Sequence, residues 1–146
     1  MLIKEYIKYL IKEELNKTEK TEKDLEVFLK MIVPNLIQHC MIRTNSVKVC
    51  GYISEDFNKL ALEAGFNSRV VAHSRHIINI VRLQEGDYEV DLSNIQFQFS
   101  EDNVEKYNDE AGKDIYSYHG EAMETQRLLD IVKTDPFKAI KVTKLV

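Results

Sequence analysis

"SRVVAHSRHIINIVRLQEGDYEVDLSN", residues 68–94, is where the pattern of this chain changes. Before it, apolar residues recur at helical spacing; within it Val and Ile dominate, and "YEVDL" alternates apolar with polar side chains. β-branched enrichment and period-2 alternation mark strands. "SRVVAHSRHIINIVRL" and "YEVDLSNIQFQF" therefore both read as strands, and "QEGD" between them reads as a turn. Residues 76–92 are expected to form a β-hairpin.

Working back from the hairpin, "VCGYISEDFNKLALEAG", residues 49–65, is an amphipathic helix. Ile53, Phe57, Leu60, Ala61 and Ala64 share one face, and Gly65 is placed to stop it. Upstream, Leu25, Phe28, Leu29, Ile32, Val33, Leu36, Ile37, Cys40 and Met41 form the longest periodic run. Thr21 followed by Asp24 resembles a capping box at its start. Pro34, on the edge of the stripe, is expected to kink or split that helix. The first residues, "MLIKEYIKYLIKEEL", carry a stripe of Ile3, Tyr6, Ile7, Leu10 and Ile11, with charges too frequent for a signal peptide.

Working forward, "SEDNVEKYNDEAGKD" is acidic and weakly patterned and reads as a surface loop. Residues 120–133 form a helix, with Ala122, Leu129 and Val132 inward, ended by Asp135-Pro136. "IKVTKLV" alternates as an edge strand. Helices followed by strands and then mixed elements give an α+β fold with segregated layers, as a single domain over residues 1–146.

Bulk properties limit the function classes. The chain has 146 residues, a formal charge of −4 and 44% hydrophobic residues, with a pI near 5.6. That balance argues against a nucleic-acid surface, which needs concentrated Lys and Arg. No apolar stretch is expected to approach the roughly 20 residues that span a bilayer. Two cysteines, Cys40 and Cys50, make neither a disulfide framework nor a metal cluster. The expected setting is cytoplasmic and reducing, without nucleic acid or membrane as a partner.

Thiol chemistry needs a thiolate at a site favouring negative charge, an imidazole to exchange protons and an acceptor to orient it. Cys50 falls at a helix start, where unpaired N–H groups favour an anion. Cys40 lies on the buried stripe and reads as structural. His76 opens one strand and Asp91 lies on the next. If Leu83 pairs with Tyr88, His76 is level with Ile95, four residues beyond Asp91. Strong twist or a bulge near Leu92 and Ser93 is then needed to bring the pair together. A change of parity between Tyr88, Val90, Leu92 and Ile95, Phe97, Phe99 hints at such a break. His73 competes with His76, but odd spacing along one strand points them to opposite faces. His39, adjacent to Cys40 on a helix, does not face it. His119 and Tyr116–Tyr118 show no spacing that ties them to a site.

These residues also carry a family pattern. Val49-Cys50-Gly51-Tyr52 with the helix to Gly65, His76 with Asn79 three residues on, and Val90-Asp91-Leu92-Ser93 occur in order. Together they resemble the three motifs of the transglutaminase-like superfamily, which has a papain-like core. The match spans roughly residues 47–95, and His76 and Asp91 are fifteen positions apart, as the resemblance expects. It departs at Ile78, where relatives carry an aromatic, at Lys48, where they often carry Gly, and in having no tryptophan.

The resemblance implies a papain/transglutaminase-like fold, with the nucleophile helix packed on a small antiparallel sheet. It implies a Cys50–His76–Asp91 triad for thioester-mediated acyl transfer or hydrolysis of peptide or glutaminyl amides, with proteolysis or deamidation favoured over cross-linking. Oxyanion or substrate contacts would come from the Cys50 N–H and from Asn45, Tyr52 or Asn79. No cofactor or metal is implied, and the partner is a peptide or protein substrate. A transglutaminase-like binding module without turnover is the rival reading, and a leader peptidase of a peptide-modifying pathway is a further one.

Overall fold

A computed structural model describes residues 3–5, 7, 19–73, 75–98, 104–108, 110–112, 114–118 and 121–146. Thr21 opens the first long helix, α1 (Glu22–Ile37). Its hydroxyl accepts from the Asp24 N–H at 3.2 Å, and the Asp24 carboxylate accepts from the Thr21 N–H at 2.8 Å. The two bonds close the expected capping box. The Thr21 backbone bond is the main influence holding the Asp24 carboxyl below its ordinary range. The cap's contribution is thus present above that range and lost as pH falls through it. Thr21→Ala is expected to cost about 1 kcal/mol, read as a lower urea midpoint at unchanged slope.

Pro34 sits inside α1 without ending it. The Lys30 carbonyl that Pro34 cannot bond belongs to an exposed residue, where water can satisfy it. The irregularity comes later, where the helix widens into a π-turn over Gln38–Ile42. The run Glu22–Ile42 is 21 residues long and holds an 18-residue window of mean hydropathy 1.3, enough by length and composition to cross a membrane, contrary to the expectation that no apolar stretch approaches that length. Leu25, Leu29, Val33, Leu36, Ile37 and Met41 on one face of the run are buried in the core, while Val27 and Met31 are exposed.

The next helix, α2 (Cys50–Glu63), buries Ile53, Phe57 and Ala61 completely. Leu60, expected inward, is 37% exposed at the edge of the stripe. Gly65 takes the left-handed φ of 88° that ends the helix.

A four-stranded antiparallel sheet follows, in the order β1 (Asn67–His73), β2 (His76–Leu83), β3 (Gly86–Asp91) and β6 (Lys141–Lys144), with β1 and β6 at its edges. The stretch 68–83, read as one strand, is two. The chain reverses between His73 and His76, which pair in register, with Arg75 at φ 67°. Nothing in the Val/Ile content distinguishes one long strand from two short ones. The stretch 88–99 also divides, because β3 stops at Asp91 and Asn94–Gln98 forms a 3₁₀ helix. The parity change between Leu92 and Ile95 is this turn, which lets both residues be fully buried.

α2 lies across β1 and β2. Val81, Tyr88, Val90 and Leu92 form the core with α1, α2 and Leu128, Leu129 and Val132 of α3 (Glu121–Thr134). Ala122, expected inward on α3, is exposed. Asp135 caps the 3₁₀ turn Pro136–Ala139 through the Phe137 N–H at 3.1 Å, and β6 follows at the sheet edge.

The acidic stretch expected to be a loop instead contains strand β4 (Val104–Asn108), which forms a separate ladder with β5 (Asp114–Tyr118) at and beyond its end. Its Val, Ile and Tyr residues favour strands, and Gly112 at φ 78° suits the reversal between them. At the N-terminus, Ile3 and Ile7 are helical but 78% and 49% exposed, so at these positions the expected apolar stripe is unpacked. Tyr6, Leu10 and Ile11 lie outside the described residues. The architecture is α+β, with helices on a small antiparallel sheet.

Candidate functional site

Cys50 is the first residue of α2, immediately after the N-cap Val49. Neither side-chain capping nor a preceding turn occupies the backbone N–H groups there, as the helix geometry requires of a first turn. The helix is fixed to β2 by two hydrogen bonds, and its start lies close to the same strand. A side-chain carbon on Gly51 would lie 3.6 Å from Ile77 Cδ1, an ordinary packing distance. Ser54 Oγ donates to the Ile77 carbonyl at 3.1 Å, and Asn79 Nδ2 donates to the Ser54 carbonyl at 3.0 Å. The residue after Cys50 therefore packs near the residue after His76, so both bear on the same end of β2.

His76 and Asp91 meet directly. His76 Nε2 and Asp91 Oδ1 are 2.8 Å apart, with their side chains only 12% and 9% exposed. The register explains why no bulge is needed. Leu83 pairs with Gly86, not Tyr88, so the connecting loop is Gln84–Glu85 alone. From Asn79 opposite Val90, one more step sets Ile78 opposite Asp91 and leaves His76 two positions along, not four. A diagonal neighbour at that offset is within reach of a long side chain. The same Asp91 oxygen accepts the Ser93 N–H at 3.2 Å, so the turn after β3 holds the carboxylate in place.

The other ring nitrogen is also occupied. Gln96 Nε2 stands 2.8 Å from His76 Nδ1. An amide nitrogen can only donate, so Nδ1 is an acceptor and Nε2 carries the hydrogen that Asp91 receives. Phe97, next along the 3₁₀ turn, sets its ring edge-on to the imidazole with centroids 4.8 Å apart. No hydrogen bond joins the Cys50 thiol to the His76 ring; Gln96 holds that nitrogen. A cavity of about 470 Å³ opens beside the ring, lined by His76, Ile78, Glu89, Asp91, Asn94, Phe97, Lys141 and Thr143. Another of about 490 Å³ lies between α1 and α2, away from these groups.

The three expected oxyanion or substrate residues have different surroundings. Asn79 is fully buried and committed to the α2 backbone, so it joins helix to sheet and is closed to substrate. Its Oδ1 has no hydrogen-bond partner. Asn45 adopts a left-handed φ of 54° in the loop before α2 and borders a small depression with Ser46, Lys48 and Gln126. Tyr52 is 77% exposed. His73 is the cross-strand neighbour of His76, so the odd-spacing argument against it, which presumes one strand, does not apply. His119 lies outside the described residues.

Cys40 is buried, as its place on the helical stripe predicts. Burial pushes its thiol up to about 11, helped by the Asp56 carboxylate, which accepts from Sγ at 3.6 Å. Iodoacetamide at pH 7–8 is therefore expected to label Cys50 and leave Cys40 untouched, by peptide mass mapping of the native protein. Labelling of both would mean that the α1–π-turn region opens. Because the folded thiol keeps its proton more strongly than the unfolded one, stability falls as pH rises from about 9 to about 11.

Gln96 and Phe97 were not singled out by sequence reasoning. The signal was the parity change at "LSNIQF": read as a turn, it brings Gln96 back toward the start of β2. No protein-family model, curated protein or solved structure matches the chain.

Proposed function

We propose that this protein is a transglutaminase-like cysteine enzyme with a papain-like core, in which Cys50, His76 and Asp91 carry acyl transfer from peptide or glutaminyl amides. The observation behind this reading is the part-buried 2.8 Å His76–Asp91 hydrogen bond at the start of β2, the strand to which the Cys50 helix is tied through Ser54 and Asn79. In such a reaction His76 Nδ1 takes the thiol proton and the sulfur electron pair attacks the amide carbonyl. The imidazolium then gives that proton to the departing amine or ammonia, leaving a thioester. Water cleaves the thioester, its proton passing to Nδ1 and its hydroxyl to the carbonyl carbon. Asp91 keeps Nε2–H fixed throughout and stabilises the imidazolium. The cavity beside the ring offers the substrate both polar and apolar walls.

The experiment is product analysis with a casein-like protein and a glutamine peptide. New N-termini indicate proteolysis and released ammonia indicates deamidation, each lost in Cys50→Ala. Absence of both products with native protein favours the second reading, a binding module without turnover. Two observations favour that reading: Nδ1 is taken by Gln96, and Ile78 stands where relatives carry an aromatic.

A further inference from the structure

Gln96 occupies the one ring nitrogen that the proposed chemistry needs. With Nε2–H committed to Asp91, proton exchange with Cys50 passes through Nδ1, and the Gln96 amide lies on it at 2.8 Å. This contact is built into the fold. Gln96 is carried on the 3₁₀ turn Asn94–Gln98, and its own N–H donates to the Ser93 carbonyl at 3.1 Å. Its side-chain amide also reaches Ser93 Oγ at 3.3 Å. Ser93 in turn holds Asp91 through its N–H, so the acceptor on one ring nitrogen and the donor on the other share one short segment. Phe97 on the same segment packs its ring roughly perpendicular to the imidazole, with centroids 4.8 Å apart.

We propose that Gln96 is a positioning residue that acts as a latch on the base. Resting on the triad reading above, it makes the structure a closed state in which the Nδ1 lone pair is covered. The amide covers that lone pair, so a proton from Cys50 has no place on Nδ1 until the amide moves away. Opening requires the Gln96 amide to leave Nδ1, with Ser93 Oγ already in reach as its alternative partner. The Cys50 S–H bond then breaks and the Nδ1–H bond forms. The sulfur keeps the electron pair, giving a thiolate–imidazolium pair with no other reactant. Substrate entering the cavity beside Phe97 is the natural trigger, because the same turn borders that cavity through Asn94 and Phe97.

The test removes the donor at constant volume. Gln96→Met is expected to alkylate with iodoacetamide at Cys50 three- to tenfold faster than native protein at pH 6.5, about the weight of one neutral hydrogen bond. Gln96→Ala, at a half-buried surface turn, serves if the methionine packs badly. A second readout uses Cys50→Ser protein, in which ¹⁵N–¹H long-range spectra report His76 Nδ1 directly. There Gln96→Met is expected to shift Nδ1 toward an unbonded acceptor while Nε2–H is retained. An unchanged Nδ1 signal overturns the latch whatever Cys50 does. Unchanged alkylation in Gln96→Met, with slower alkylation in His76→Ala, overturns the latch alone. Alkylation unchanged in both variants overturns the latch and the triad reading together.

Discussion

His76→Ala is expected to slow iodoacetamide alkylation of Cys50 at pH 7 by about three- to tenfold. The ceiling is set by simple ionisation. An unassisted thiol is about 3% thiolate at pH 7, so a base that ionises it fully accelerates alkylation by roughly 30-fold at most. His76 is the only imidazole of the described residues whose ring is held between Asp91 and Gln96. Removing its ring takes away the proton acceptor while leaving Cys50 on an intact helix start. Asp91→Asn should act in the same direction but more weakly, because the ring remains and only its orienting charge is lost. Both variants should retain native far-UV circular dichroism. A rate for His76→Ala within twofold of native would mean that the ring does not serve this thiol.

Asn79→Asp is expected to destabilise the fold by about 3 kcal/mol at pH 7, with recovery as the pH falls. Asn79 is fully buried, and its one hydrogen bond is a donation to the Ser54 carbonyl in α2. An ionised aspartate has no donor for that carbonyl and places an unpaired charge beside an oxygen. Burial raises the new carboxyl above its unfolded value, so folding disfavours the ionised form. As pH falls through the folded value the carboxyl takes up a proton, regains a donor and restores the bond to Ser54. The measurement is urea unfolding at pH 7 and pH 5. Equal stability of variant and native protein at pH 7 would show that the helix–sheet clamp at the site is not held by this residue.

The helical part of the fold was legible because periodicity and end signals agreed. Thr21 with Asp24 marked one start, and Gly65 marked one stop. The strands were legible as a region but not as separate elements. Val and Ile content says that residues pack in a sheet, not where the chain turns back. The reversal at His73–His76 uses a left-handed Arg75, a residue type with no turn preference to announce it. The register depended on a single choice, whether Gln84–Glu85 or the longer "QEGD" forms the loop. That choice moved Asp91 two positions closer to His76 and removed the need for a bulge. Asn79 looked like a site residue because it stands three positions after His76, as in the second motif of the family it resembles. Strand alternation instead turns it toward α2 while His76 lines the cavity on the other face. Gln96 was hidden for a related reason: within a presumed strand it had no cause to fold back on the imidazole.

The central claim is that Cys50 works with a base held by Asp91. Its most direct test is the iodoacetamide rate at Cys50 from pH 5 to pH 10, in native protein and His76→Ala. The claim predicts a native rate several-fold above that of His76→Ala from pH 5 to pH 7, with the His76→Ala rate rising only through the ordinary thiol range. A native profile that climbs through pH 8–9 and superimposes on that of His76→Ala would contradict it.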